Sequence, residues 1–65
     1  MKIWYFEGPD TLHIVLKPGR VAETRDLDAN ILADVDADGQ MLAITIVHAQ
    51  SHAEMPAFSY ERIAA

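Results

Sequence analysis

The stretch Ile31-Leu32-Ala33-Asp34-Val35-Asp36-Ala37-Asp38-Gly39-Gln40-Met41-Leu42-Ala43-Ile44-Thr45-Ile46-Val47 reads as two apolar runs on either side of a turn. The turn is Asp36-Ala37-Asp38-Gly39, whose Asp-Gly pair selects a hairpin because Gly supplies the backbone conformation that a tight reversal needs. The second run, Gln40 to Val47, is rich in the β-branched residues that favour strands. Side chains alternate across a strand, so Leu42, Ile44 and Ile46 share one face, and Met41, Ala43, Thr45 and Val47 the other. Both faces are at least partly apolar. A strand of that kind belongs at the centre of a sheet.

Working outward, Val21 to Leu27 puts Val21, Glu23, Arg25 and Leu27 on one side and Ala22, Thr24 and Asp26 on the other. Neither side is strongly apolar, so this run reads as an edge strand. Thr11 to Lys17 alternates cleanly, with Leu12, Ile14 and Leu16 on one face and Thr11, His13 and Val15 on the other. Lys17-Pro18-Gly19-Arg20 then fits a type II turn. Lys2 to Phe6 is the first strand, closed by Glu7-Gly8-Pro9-Asp10. The expectation is a single domain over residues 1–65, β-rich and of the α+β class. Its body is an antiparallel five-stranded meander over about 1–47.

Past His48 the pattern changes, and a short C-terminal helix over about 51–65 is expected. Ser51 and Glu54 have capping-box spacing, although Pro56 suits a later start in which it occupies the first turn. Met55, Phe58, Tyr60 and Ile63 would then face the sheet. Phe58 to Arg62 also fits a sixth strand.

With 65 residues, 51% of them hydrophobic, the chain has more apolar side chains than so small an interior can hold. Small domains add disulfides, a structural metal or a second subunit. There is no Cys, and the His and carboxylate residues form no strong ligand pattern. Self-association is left, with a dimer favoured. Ten acidic residues against five Lys and Arg give a net charge of -5, which disfavours nucleic acid and anionic membrane surfaces and favours a basic protein partner. The apolar start, Met1 to Phe6, is too short for a signal peptide or membrane span, so the cytoplasm is the expected location.

The succession of segments resembles a small bacterial and archaeal family called domain of unknown function 2283. The resemblance rests on Asp10-Thr11-Leu12-His13-Ile14-Val15-Leu16, Val21-Ala22-Glu23-Thr24-Arg25, Ile31 through Gly39, and Met41-Leu42-Ala43-Ile44-Thr45-Ile46, and it covers roughly Met1 to Ala49. It implies a compact β-meander with a short C-terminal helix and no established reaction. Ala43 stands where members commonly have Gly, and Thr45 where they commonly have Glu, so an activity carried by that Glu would be missing here. Some relatives resemble the smaller partner of toxin–antitoxin-like gene pairs.

Among chemical motifs, Asp34-Val35-Asp36-Ala37-Asp38-Gly39 matches the opening of an EF-hand calcium loop. Thr45 falls at its twelfth position and supplies no bidentate carboxylate. The hairpin accounts for the same residues without a metal. His13, His48 and His52 are candidates for metal or proton chemistry, with Glu54 near the last two, but they read more simply as surface side chains. Ser51 and Ser59 lie in no nucleophile motif, and Glu23, Asp26 and Asp28 sit in a polar stretch that keeps them ordinary carboxylates. No catalytic, cofactor-binding or metal residue is therefore assigned, and no cofactor is expected.

Trp4, Tyr5 and Phe6 carry more weight. A strand sends Trp4 and Phe6 one way and Ile3 and Tyr5 the other, so one core cannot take them all. Trp4, Phe6, Val15, Met41 and Val47 are accordingly the candidate interface. The function expected is a non-catalytic protein-interaction or homo-oligomeric module, with the small acidic member of a toxin–antitoxin-like pair as one form of it. The alternative is a small enzyme or metal-dependent hydrolase with its site at a subunit interface, using the three His residues and the acids.

Overall fold

A computed structural model describes residues 1–55 and 57–64. Five strands, β1 (Lys2–Phe6), β2 (Thr11–Val15), β3 (Glu23–Asp28), β4 (Ile31–Val35) and β5 (Met41–Val47), form one antiparallel sheet, followed by a single 3-10 turn, η1 (Ala49–Ser51). The order across the sheet is β1-β2-β5-β4-β3. This corrects the simple meander: β3, β4 and β5 are joined by consecutive hairpins, and β2 lies beside β5, which is a Greek-key arrangement. The burial pattern explains the order. β5 contains Leu42 and Ala43, both buried, and takes the middle, whereas every residue of β3 is exposed and takes an edge.

The link between β2 and β3 must cross the ends of β5 and β4. It begins where the amides of Leu16 and Lys17 both donate to the Leu42 carbonyl, at 2.8 and 3.3 Å. That sharing breaks the ladder, so β2 stops at Val15 instead of Lys17. The link ends where Ala22 N donates to the Val35 carbonyl at 2.8 Å, just ahead of β3. Between them Gly19 lies against Leu42, where an added Cβ would come within 2.7 Å of Cδ2. Gly39 is the glycine with positive φ, at 83°, so Gly19 does not make the expected type II turn. Closeness to Leu42 is what requires glycine there.

Asp36-Ala37-Asp38-Gly39 forms the expected hairpin. Asp36 N donates to the Gln40 carbonyl, and the Asp36 carboxylate accepts the amides of Asp38 and Gln40, each at 2.9 Å. The side chain thus stabilises its own turn, as Asp does where the backbone reverses.

The expected C-terminal helix is a correction: among the described residues, the segment beyond η1 forms neither a helix nor a sixth strand. Pro56 and Ala65 lie outside those residues. A helix over about 51–65 would be short enough to need packing to hold it, and Phe58, Ser59 and Tyr60 are middling helix formers. The packing is missing as well, because Phe58, Tyr60 and Ile63 are 66%, 76% and 76% exposed.

Candidate interaction surface

Register fixes what lies on each face of the sheet. On one, the rows Ile3-Ile14-Ile44-Ala33-Arg25 and Tyr5-Leu12-Ile46-Ile31-Asp28 cross the strands from β1 to β3. On the other run Trp4-His13-Thr45-Leu32-Asp26 and Lys2-Val15-Ala43-Asp34-Thr24. Every row passes from apolar or aromatic residues toward polar or charged ones, apart from Lys2 at the start of the last. The sheet therefore has an apolar end at β1 and an acidic end at β3.

The first of these, the isoleucine face, carries much of what is buried, including Leu12 and Ala33. A groove of about 840 Å³ lies on it, bounded by Ile3, Tyr5, Leu12 and Ile14 on the sheet and by Met55 and Phe58 from the C-terminal segment. The tail thus stands over the β1 and β2 end of this face without filling it.

The second, the tryptophan face, holds four of the five candidate interface residues; Met41 is a correction, because the β4–β5 register slips between Asp34 and Val35 and sets Met41 opposite Val35, on the side of Ala33 and Ile31. Of the four, Trp4 and Phe6 belong to β1, Val15 to β2 and Val47 to β5, with Phe6 opposite Thr11 and Thr11 opposite Val47. The indole of Trp4 meets the Phe6 ring edge to face at 6.1 Å, leans toward the His13 imidazole at 6.2 Å, and has Lys2 Nζ 5.5 Å from its centre. Trp4 and Phe6 nonetheless remain 46% exposed, and Met41 37%. An aromatic side chain covers roughly 200 Å², so about 100 Å² of each ring is still wet, and covering it would contribute about 2 kcal/mol per ring.

The other sequence candidates are scattered. His13 Nδ1 is 2.9 Å from Thr45 Oγ1 on the tryptophan face, whereas His48 and His52 flank η1. Among the described residues no three His or acidic side chains converge as a metal cluster. The Asp34–Gly39 series is divided as well: Asp34 accepts a 2.7 Å hydrogen bond from Thr24 across the β3–β4 pair, while Asp36 turns to its own loop. Ser51 is the last residue of η1, and Ser59 lies in the exposed tail.

Sequence reasoning missed Asp10. Its carboxylate accepts the Tyr5 hydroxyl at 2.7 Å and the Gln50 amide at 3.2 and 3.3 Å, while its carbonyl accepts Ala49 N at 2.9 Å. Gln50 Nε2 in turn donates to Tyr5 Oη at 3.1 Å. This latch ties the β1–β2 turn to η1 and leaves Ala49 fully buried. Asp10 has φ 50° and His48 φ 53°, so both tight corners are held in left-handed backbone by the surrounding bonds. The hydrogen bond to Asp10 is the main reason the Tyr5 hydroxyl titrates above its ordinary value; the Gln50 contact opposes it.

Fold and surface together define a small antiparallel β-sheet protein with Greek-key strand order and an apolar edge. The chain belongs to the family described as Protein of unknown function (DUF2283), whose model matches residues 2–50. That match spans the whole sheet and ends at η1, so the tail lies beyond it. No curated protein and no solved structure gives a significant match. Among the described residues no helix is long and apolar enough to cross a membrane.

Proposed function

We propose that this protein is a non-catalytic interaction module that self-associates, as a dimer, through the surface bearing Trp4 and Phe6, with Val15 and Val47 extending that surface inward. The observation that carries this is the half-exposed Trp4–Phe6 pair on an edge strand of the sheet. Aromatic residues in that condition are typical anchors of protein interfaces. The opposite end supports a basic protein as second partner: β3 exposes Glu23, Asp26 and Asp28, and the chain's net charge is -5. Such complementarity chiefly steers encounter and choice of partner.

Trp4 is the single tryptophan, so its fluorescence reports the event directly. On concentrating the protein, its emission should shift to shorter wavelength and become less quenchable by acrylamide, in step with a doubling of mass by light scattering. A constant mass of one chain with unchanged Trp4 emission over the accessible range would overturn the reading.

A further inference from the structure

The two edges of the sheet are protected very differently. β3 carries Glu23, Arg25, Asp26 and Asp28, and its pairing with β4 slips between Asp26 and Asp28. Charges and a bulge are standard protections against an edge pairing with another strand. β1, Lys-Ile-Trp-Tyr-Phe, has none beyond Lys2, whose ammonium sits over the Trp4 ring, and its register with β2 is unbroken from Lys2 to Phe6. Its far side pairs with no strand among the described residues. A regular, apolar, unguarded edge is a template for one more strand.

We propose that β1 pairs antiparallel with β1 of a second copy, joining two five-stranded sheets into one of ten strands. This rests on the self-association argued above and specifies its seam. An antiparallel pair of identical strands has the two-fold symmetry of the commonest dimers. It places both copies' Trp4 and Phe6 together on one face, and both copies' Ile3 and Tyr5 on the other, where cross-strand aromatic pairs add to the backbone bonds.

Symmetry and charge favour a second copy as the occupant, and the molecule has surface to spare for one. The chain exposes 5119 Å², against roughly 4100 Å² for a compact monomer of this mass. The difference, on the order of 1000 Å², is shared between the sheet and the exposed segment 57–64, and it shows that the chain leaves more surface in water than a compact monomer does. In charge, the copies are each acidic, but a β1 seam leaves the two β3 edges at opposite ends of the joined sheet. Each is about 19 Å from the seam, four strand spacings, which is well beyond the screening length in physiological salt. A β3 seam would set acidic strands side by side.

Amide hydrogen exchange of the intact chain, followed residue by residue by NMR, tests this. In a lone sheet the amides of an edge strand point alternately to its neighbour and to solvent. The proposal expects protection along all of β1 at high concentration, with loss of the outward set on dilution as the mass halves. A dimer whose outward β1 amides exchange freely would overturn the β1 seam and leave self-association through the tryptophan face standing. A monomer with those amides free would overturn both. Protection that persists in a monomer would show β1 covered by its own chain and would also overturn the proposal.

Discussion

Tyr5 and Asp10 are joined by one hydrogen bond that has a pH signature. The folded state holds the Tyr5 hydroxyl above its ordinary value of 10.0, first because it donates to Asp10. A raised folded pKa means that the bond's contribution to stability is complete below the unfolded value and is lost as pH rises through the folded one. Denaturation midpoints of the native protein should therefore fall on the alkaline side of pH 10, and those of Tyr5→Phe should fall less; parallel curves would mean the bond does not govern that loss. Gly19 gives a second test. A methyl there meets the buried Leu42 at 2.7 Å, whereas one at Gly8 meets nothing within 4 Å. Gly19→Ala should cost about 1–3 kcal/mol in urea unfolding, in the range of overpacked sites. Gly8→Ala should be neutral or slightly stabilising, so equal effects would rule out the Leu42 contact as the cause.

At the scale of elements, the strands were legible because alternation is a local property. The apolar residues on both faces of β5 announce a central strand, and the charges of β3 announce an edge. Boundaries moved where backbone groups were diverted, as at Leu16 and Lys17, which share one carbonyl, and at Gln40, whose amide is taken by Asp36; the third run, expected over Val21 to Leu27, also shifted, to Glu23–Asp28. Strand order was not legible. Each hairpin can be read from its turn, but the pairing of β2 with β5 joins residues some thirty positions apart, such as His13 and Thr45, and no turn encodes it. The latch was hidden for the same reason, since Asp10 and Gln50 are 40 residues apart. The tail misled through composition. Ala, Glu, a proline near its start and the i, i+3 pairs Met55–Phe58 and Tyr60–Ile63 suggest a helix, but Phe58, Tyr60 and Ile63 stay exposed, so no packing holds one in place. Trp4, Phe6, Val15 and Val47 share one face by parity once the register is known, but Met41 does not, because the slip between Asp34 and Val35 pairs it with Val35; sequence alone supplied the alternation but not the alignment of strands or the bulge.

At the scale of the whole molecule, the shape is that of a slab and not a globule. Its radius of gyration is 12.9 Å, with a shortest extent of 17 Å, where a compact chain of this length has about 11 Å. No large side chain is fully buried among the described residues. A one-layer sheet with its aromatic edge in water forgoes much of the burial that offsets chain entropy, and a small domain has little stability to forgo. If a second copy supplies that burial, folding and association are linked by mass action, and apparent stability must depend on concentration. Each tenfold increase in protein should raise the apparent unfolding free energy by about 1.4 kcal/mol, the value of one decade in an equilibrium constant. The urea midpoint should rise accordingly, while its m-value, which follows the surface exposed, stays fixed. A midpoint independent of concentration over three decades would mean that the slab holds itself together, and that its Trp4 surface is reserved for a different protein.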